Sequence, residues 1–204
     1  MAALSIAVAL QLALTNAPQV APETVLAFAQ AESQLDPLAL HDNTTGHSHA
    51  PPSVSEAVAL ARSLLSSGHS LDLGLMQIND QNLERTGLSI EAAFDPGASI
   101  AAGATILTAA YRRCQPGRDG PAALRCMASV YNTGRERAGL LNGYVARVWN
   151  AAERMVPAIR QAIPPAPPSL PTSCGPPPPS WDGWATAAHQ RCLRQAASTP
   201  ETPK

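Results

Sequence analysis

The sequence predicts a mainly α-helical domain that contains one small β-hairpin. Alanine and leucine are abundant whereas aromatic residues make up 4% of the chain, and β-sandwich strands prefer β-branched and aromatic side chains. The 204 residues are 45% hydrophobic and 14% charged, so the chain can bury a substantial core. This composition excludes a chain that is disordered throughout.

The charge balance excludes one class of function. There are 14 lysines and arginines against 15 aspartates and glutamates, which gives a formal net charge of -1. A chain without excess positive charge has no long-range attraction for a nucleic-acid backbone or an anionic membrane. We therefore expect no nucleic-acid partner.

The prolines divide the chain. Nine of the 20 lie between Pro164 and Pro179, where they prevent a ladder of helical hydrogen bonds. The sequence therefore predicts a globular domain over residues 1–163, a Pro-rich linker over residues 164–179 and a short tail over residues 180–204. A short helix in the tail would bring four residues onto one face: Trp181, Trp184, Ala188 and Cys192. That face could dock a partner or fold back.

The first residues are predicted to form a buried helix. Residues 1–14 are apolar but contain no lysine or arginine, so the basic start of a secretory signal is missing. The stretch is also too short to span a bilayer. An export signal is the alternative, although Pro18 would directly follow its only plausible cleavage site.

A second helix should begin at Pro22 and end before Pro37, because a proline suits the first turn and disfavours helical backbone just before itself. Its apolar face is spaced 0, +3, +4 and +7 and comprises Val25, Phe28, Ala29 and Glu32. Burial and the negative end of the helix dipole should both raise the pKa of this glutamate, as a general acid near neutral pH requires. The alternative is a helix-end glutamate that faces solvent.

Capping and turn residues predict the central elements. A polar loop with three histidines spans residues 41–52, and a third helix runs from the capping box at Ser53 to Gly68. Leucines alternate with other residues over positions 71–79, which predicts a short strand or hairpin. Gly74 would permit a tight bend there.

Three later helices complete the predicted domain. They run from about Ser99, from Pro121 to Gly134, and from Tyr144 to Ile159.

The four cysteines fall into two local pairs, Cys114 with Cys126 and Cys174 with Cys192. An even number is compatible with disulfides in an oxidising compartment such as the bacterial periplasm. Spacing alone does not determine which cysteines are joined, so four unpaired thiols stay an alternative.

Three motifs follow one another at the scale of a whole domain: Ala31 to Ser33, Gly74 to Asn79, and Ala128 to Gly134. In these motifs the sequence resembles the soluble lytic transglycosylases of goose-type lysozyme fold, most closely the branch that accompanies type IV secretion and conjugation machines. The resemblance covers about residues 4–160. It implies a lysozyme-like (SLT) domain.

The resemblance also implies a function, that of a periplasmic peptidoglycan lytic transglycosylase. Glu32 would be the sole catalytic acid and base, cleaving the β-1,4 bond between N-acetylmuramic acid and N-acetylglucosamine with formation of a 1,6-anhydro ring. The chemistry needs no cofactor or metal, and the histidines at 41, 47 and 49 match no common zinc spacing; we expect their loop to line the sugar cleft. The cut would open the wall for a secretion or conjugation machine, whose subunits the Pro-rich tail could bind.

Five further residues match substrate-holding positions of the family: Ser33, Met76, Gln77, Tyr131 and Asn132. By resemblance, Ser33 orients the carboxyl group or the sugar, while Met76 and Gln77 supply an apolar wall and an amide. Tyr131 and Asn132 hold the reacting sugar. Taken alone, Ser33 could be a helix-end hydrogen bonder, and Met76 and Tyr131 could be core residues.

Two other functions stay open. Asp72 could direct a water molecule in the same cleft, which would make the protein a lysozyme-type hydrolase, or it could satisfy the hairpin backbone. Alternatively, the chain could bind peptidoglycan without cleaving it and act as a non-catalytic assembly factor.

Overall fold

The computed structural model describes residues 3–162, Cys174, Pro176 and residues 189–194. The chain forms two compact units, residues 1–162 and residues 163–204. The helices of the first unit are α1 (Ile6–Asn16), α2 (Pro22–Ser33), α3 (Val54–Ser66), α4 (Leu83–Thr86), α5 (Ile90–Ala93), α6 (Pro96–Cys114), α7 (Gly120–Thr133), α8 (Ala138–Leu141) and α9 (Tyr144–Ala162). Its strands are β1 (Leu40–Asp42), β2 (His47–His49), β3 (Leu71–Leu73) and β4 (Ile78–Asn79). The predicted mainly α fold is confirmed.

Helix α2 lies at the centre of the first unit and contacts α1, α6 and α9. Its buried residues include Val25 and Phe28, as the apolar spacing predicts. Helix α1 begins after the capping residue Ser5 and buries Ala9, Leu10 and Ala13 against this core. The predicted first core helix is therefore confirmed within the described residues.

Helix α2 ends before Pro37, as predicted, but for a different reason, and this end determines where Glu32 lies. The helix stops at Ser33, because Gln34 and Leu35 adopt left-handed backbone with φ of 57° and 65°. The ring of Pro37 is therefore not what terminates the helix. This early stop leaves Glu32 in the last helical turn, beside the negative end of the helix dipole.

A four-stranded antiparallel sheet in the order β2-β1-β3-β4 stands where one hairpin was predicted. The hairpin over residues 71–79 is confirmed, but the predicted polar loop over residues 41–52 contains β2 and the end of β1. Its turn is held by the buried Asp42, whose carboxylate accepts hydrogen bonds from Thr45 Oγ1 at 2.6 Å and from His69 Nδ1 at 2.8 Å. Hydrogen bonds to a buried side chain, rather than strand propensity, form this second hairpin.

Helix α6 starts earlier than predicted from Ser99. The Asp95 carboxylate accepts a hydrogen bond from the Ala98 backbone N–H at 2.8 Å, and Pro96 occupies the first turn. Gly103 on α6 gives room to Met76, since a Cβ atom at this glycine would lie 2.7 Å from the Met76 Cε atom. The helix can therefore approach the turn between β3 and β4 closely.

Both predicted cysteine pairs are disulfides. The bridge between Cys114 and Cys126 joins the end of α6 to α7, with 5.7 Å between the Cα atoms. In the second unit, Cys174 is bonded to Cys192, and its carbonyl oxygen lies 3.0 Å from Nδ1 of His189 on a short helix over residues 189–194. Of the predicted linker, only Cys174 and Pro176 belong to the described residues, and the two tail tryptophans lie outside them.

Removing the first disulfide should destabilise the domain. For Cys114→Ala/Cys126→Ala we expect the free energy of unfolding to fall by about 2 to 3 kcal/mol. The reason is that the bridge no longer closes a loop of about 12 residues in the unfolded chain. Urea unfolding followed by circular dichroism measures this change. The matched control is Cys174→Ala/Cys192→Ala, which should leave that transition unchanged, whereas an equal loss in both variants would refute a role specific to the first bridge.

No helix in the described ranges is both long enough and apolar enough to cross a membrane.

Candidate active site

A cleft of about 650 Å³ opens between the sheet and the helices. Residues of β3 and β4 line one side, and residues of α6 and α7 line the other. Its polar lining residues include Glu32, Asn43, Asp72, Gln77, Asn79, Arg85, Arg113, Tyr131 and Asn132. The cleft therefore combines carboxyl, amide, guanidinium and phenol groups.

Glu32 contributes the carboxyl group on the helical side. Its Oε1 atom accepts a hydrogen bond from the Tyr144 hydroxyl. Burial raises the pKa of Glu32 to about 8, and nearby Asp72 adds to the rise, while Tyr144 and Arg147 oppose it. Near neutral pH the group therefore keeps its proton and can donate it to a bound molecule.

Tyr144 is one of the residues of this site that sequence reasoning missed. It stands in the first turn of α9, 1% exposed, with its ring 6.4 Å from that of Phe28 and with the Arg147 guanidinium 5.3 Å above it. The sequence pattern gives Tyr144 no role beyond the start of the last predicted helix. The signal was its hydroxyl, since a buried phenol needs a hydrogen-bond partner.

The turn over residues 74–77 connects the two sides of the cleft. The Ser33 hydroxyl donates to the Leu75 carbonyl oxygen at 2.7 Å, and the Tyr131 hydroxyl donates to the Met76 carbonyl oxygen at 2.8 Å. Gly74 has a φ of +71°, and a Cβ atom there would lie 1.9 Å from the Ala93 carbonyl oxygen. The turn thus needs glycine for both its backbone conformation and its packing.

Gln77 and Asn132 both contribute amide groups to the cleft. The Gln77 Nε2 group donates to the carbonyl oxygens of Ala39 and Gly74 at 3.1 and 2.9 Å, so both its hydrogens are used and Oε1 is left to accept a bond. Asn132 is exposed, and its Oδ1 atom accepts a hydrogen bond from Asn142 Nδ2 at 3.0 Å. The remaining amide N–H groups of Asn132 can serve a ligand.

Asp72 is the second carboxylic acid in the described lining. Its Oδ1 atom accepts a hydrogen bond from Asn79 Nδ2 at 2.8 Å. Burial raises the pKa of Asp72, against the lowering effect of hydrogen bonds from Asn79 and Asn43. Asp72 is thus held by amide groups in the same cleft as Glu32.

Contrary to the prediction, the three histidines of the loop are not among the residues that line this cleft. His47 and His49 border a separate shallow groove together with Glu56, and their rings lie 4.6 Å apart. From the predicted loop over residues 41–52, Asn43 is the described residue that lines the cleft. Within the described part of the chain, no three His, Cys, Asp or Glu residues are placed to hold a metal ion.

The sequence model of the transglycosylase SLT domain matches residues 10–147, which include α2, the sheet and α7. The chain belongs to this SLT family. The predicted resemblance to lytic transglycosylases is confirmed at the level of the family.

Part of this chain is similar in sequence to several proteins named virB1. Protein virB1 of Agrobacterium fabrum (strain C58 / ATCC 33970) is 42% identical over 143 residues, 70% of this chain and 58% of that protein. Type IV secretion system protein virB1 of Brucella suis biovar 1 (strain 1330) is 34% identical over 166 residues, 74% and 69% of the two chains. The protein of the same name from Brucella abortus biovar 1 (strain 9-941) is 37% identical over 133 residues, 64% and 56%.

The chain spans 58% of the length of the Agrobacterium fabrum protein that it matches. No solved structure gives a significant match.

Four of the predicted site residues of this SLT domain line the cleft: Glu32, Gln77, Tyr131 and Asn132. The other two do not, which differs from the prediction. Ser33 is 9% exposed and its hydroxyl is bonded to the Ala29 and Leu75 carbonyl oxygens, while the Met76 side chain is 0% exposed and packs on Gly103. Both therefore support the turn from within the core.

Proposed function

We propose that this SLT chain is a peptidoglycan lytic transglycosylase that cleaves the β-1,4 bond between N-acetylmuramic acid and N-acetylglucosamine. The observation that carries the proposal is a carboxyl group, Glu32, that retains its proton near neutral pH in a cleft shared with Gln77 and Tyr131. A general acid of this kind can protonate a leaving sugar oxygen.

The reaction needs two proton transfers through Glu32. In the first, the carboxyl group gives its proton to the glycosidic oxygen as the bond from that oxygen to muramic C1 breaks. In the second, the resulting carboxylate takes the proton of the muramic C6 hydroxyl as O6 bonds to C1. Glu32 ends protonated, no water is consumed, and the internal hydroxyl replaces a second catalytic carboxylate because it is already close to C1.

Asp72 supports an alternative, lysozyme-type hydrolysis of the same bond. It lines the same cleft and could orient a water molecule. Burial, however, raises its pKa, which disfavours the ionised carboxylate that would have to accept a proton from that water. Mass spectrometry of the released sugars distinguishes the two reactions, because a transglycosylase leaves 1,6-anhydromuramic ends and a hydrolase leaves reducing ends. Reducing ends that disappear in Asp72→Asn would favour hydrolysis.

The similar proteins from Brucella are named as type IV secretion system proteins. We infer that this chain works in the periplasm and opens the wall locally for such a machine, with the Pro-rich tail binding machine subunits. The test compares sacculus digestion, and capture of secretion subunits, by the intact chain and a chain truncated after Ile163. Loss of capture with unchanged product chemistry would assign partner binding to the tail. Failure of the folded intact chain to release soluble sugar would favour a non-catalytic assembly factor.

Tyr144→Phe should lower turnover about tenfold, because Glu32 loses its hydroxyl donor and with it a fixed orientation. That hydrogen bond lowers the pKa of Glu32, so its removal should raise the pKa further. The alkaline limb of the kcat against pH profile should consequently move to higher pH. Tyr131→Phe is the control, since its hydroxyl bonds to Met76 and should leave that limb in place. Equal profiles for the two variants would contradict this role.

A further inference from the structure

Two arginines in the cleft have no role in the reaction proposed above. Arg85 on α4 and Arg113 in the last turn of α6 are the cations of its described lining. The sugar bond that Glu32 would cleave is uncharged, and each proton transfer runs through Glu32. The two guanidinium groups therefore suit another part of the substrate, one that carries negative charge.

Neighbouring groups orient both guanidiniums without using all their donors. Arg113 Nη1 donates to the Gly134 carbonyl oxygen at 3.1 Å, and Arg85 Nη2 donates to Asn82 Oδ1 at 2.8 Å. Each guanidinium has five N–H groups, so donors remain for a ligand on both residues. Both arginines are exposed to the cleft.

The carboxylates around the two arginines are few and partly engaged. Glu136 lies 3.8 Å from Arg113 Nε but makes a closer pair, 2.6 Å, with Arg118. Burial raises the pKa of Glu32 to about 8, so this group carries little negative charge near neutral pH, and Asp72 is the other carboxyl group of the described lining. The described lining therefore holds two guanidinium charges against at most one carboxylate, in a chain whose formal net charge is -1.

We propose that Arg85 and Arg113 bind the carboxylates of the stem peptides attached to muramic acid, so that the cleft selects peptide-bearing glycan. This inference rests on the proposed function. A planar guanidinium binds a carboxylate through two parallel hydrogen bonds, and the stem peptide is the carboxylate-rich part of an otherwise neutral polymer. Stem recognition by the two arginines sets KM and leaves the proton transfers at Glu32 unchanged.

The test compares two matched substrates: soluble glycan chains with free stem carboxylates, and the same chains after those carboxylates are converted to amides. For Arg85→Gln/Arg113→Gln we expect KM on the free chains to rise about tenfold with kcat nearly unchanged, and KM on the amidated chains to stay the same. Added salt should raise KM of the unmodified protein on free chains only. Arg112→Gln is the control, because this exposed arginine is next to Arg113 but does not line the cleft.

The single variant Arg85→Gln should leave the fold intact, since the Arg85 guanidinium contacts the Asn82 side chain rather than the backbone. It should raise KM about threefold on free chains. Equal KM changes on both substrates, or none, would overturn the inference. If the unmodified protein releases sugar from neither substrate, the proposed function fails, and equilibrium binding of the two chain types then decides the inference: equal affinity overturns it.

Discussion

Glu32→Gln should reduce the release of anhydromuropeptides from isolated sacculi by about a thousandfold or more. The amide keeps the shape of the carboxyl group but can neither donate a proton to the glycosidic oxygen nor accept one from the C6 hydroxyl, and general acid–base catalysis contributes about 10² to 10⁴ in rate. Mass spectrometry of the soluble products measures the loss. Binding to sacculi should persist, because the cleft lining is otherwise unchanged.

The same variant has an expected effect on stability that depends on pH. The pKa of Glu32 is about 8 in the folded chain and 4.5 in its ordinary state, so between these values the folded chain holds a proton that the unfolded chain has lost. The unfolding free energy of the unmodified protein therefore falls as pH rises through this window. Glu32→Gln removes that slope, and its Tm advantage should grow from pH 4.5 to pH 8. An advantage independent of pH, or retained turnover, would contradict the assignment.

Gly74→Ala should lower the free energy of unfolding by about 3 to 5 kcal/mol and abolish turnover. Its Cβ atom would lie 1.9 Å from the Ala93 carbonyl oxygen, so backbone must shift in addition to the strain of a φ of +71°. Urea unfolding and sacculus digestion measure the two losses.

Gly46→Ala is the matched control for Gly74→Ala. Gly46 has a similar φ of +73°, but no neighbouring atom lies within 4 Å of the added methyl group. This control should cost about 1 kcal/mol and keep its activity. Equal destabilisation of the two variants would show that backbone conformation, rather than contact with Ala93, sets the requirement for glycine.

Local patterns located the helices and the acid because each depends on neighbouring residues. The apolar spacing of α2 assigned Glu32 to the core side, and Gly74 indicated a tight turn between short strands. The second hairpin escaped prediction, because its stability comes from Asp42 binding His69, a residue 27 positions away. No periodicity in the sequence reports such a contact.

The candidate site was only partly predictable for the same reason. Gln77 and Tyr131 are in motifs, whereas Tyr144 meets Glu32 across 112 residues and Arg113 reaches the cleft from the end of a long helix. Ser33 and Met76 show the converse, since both stand in motifs yet their side chains are buried. A motif therefore identified residues needed by the site without separating those that face a ligand from those that support them.

The hydrogen bonds from Ser33 and Tyr131 end on main-chain carbonyl oxygens, not on side chains. Any residue that fills the same volume at position 75 or 76 presents an identical backbone acceptor. Homologues can therefore vary these two positions and still hold Ser33 and Tyr131 in place. Position 74 has no such freedom. Divergence in this fold should therefore accumulate beside the glycine and leave the glycine itself unchanged.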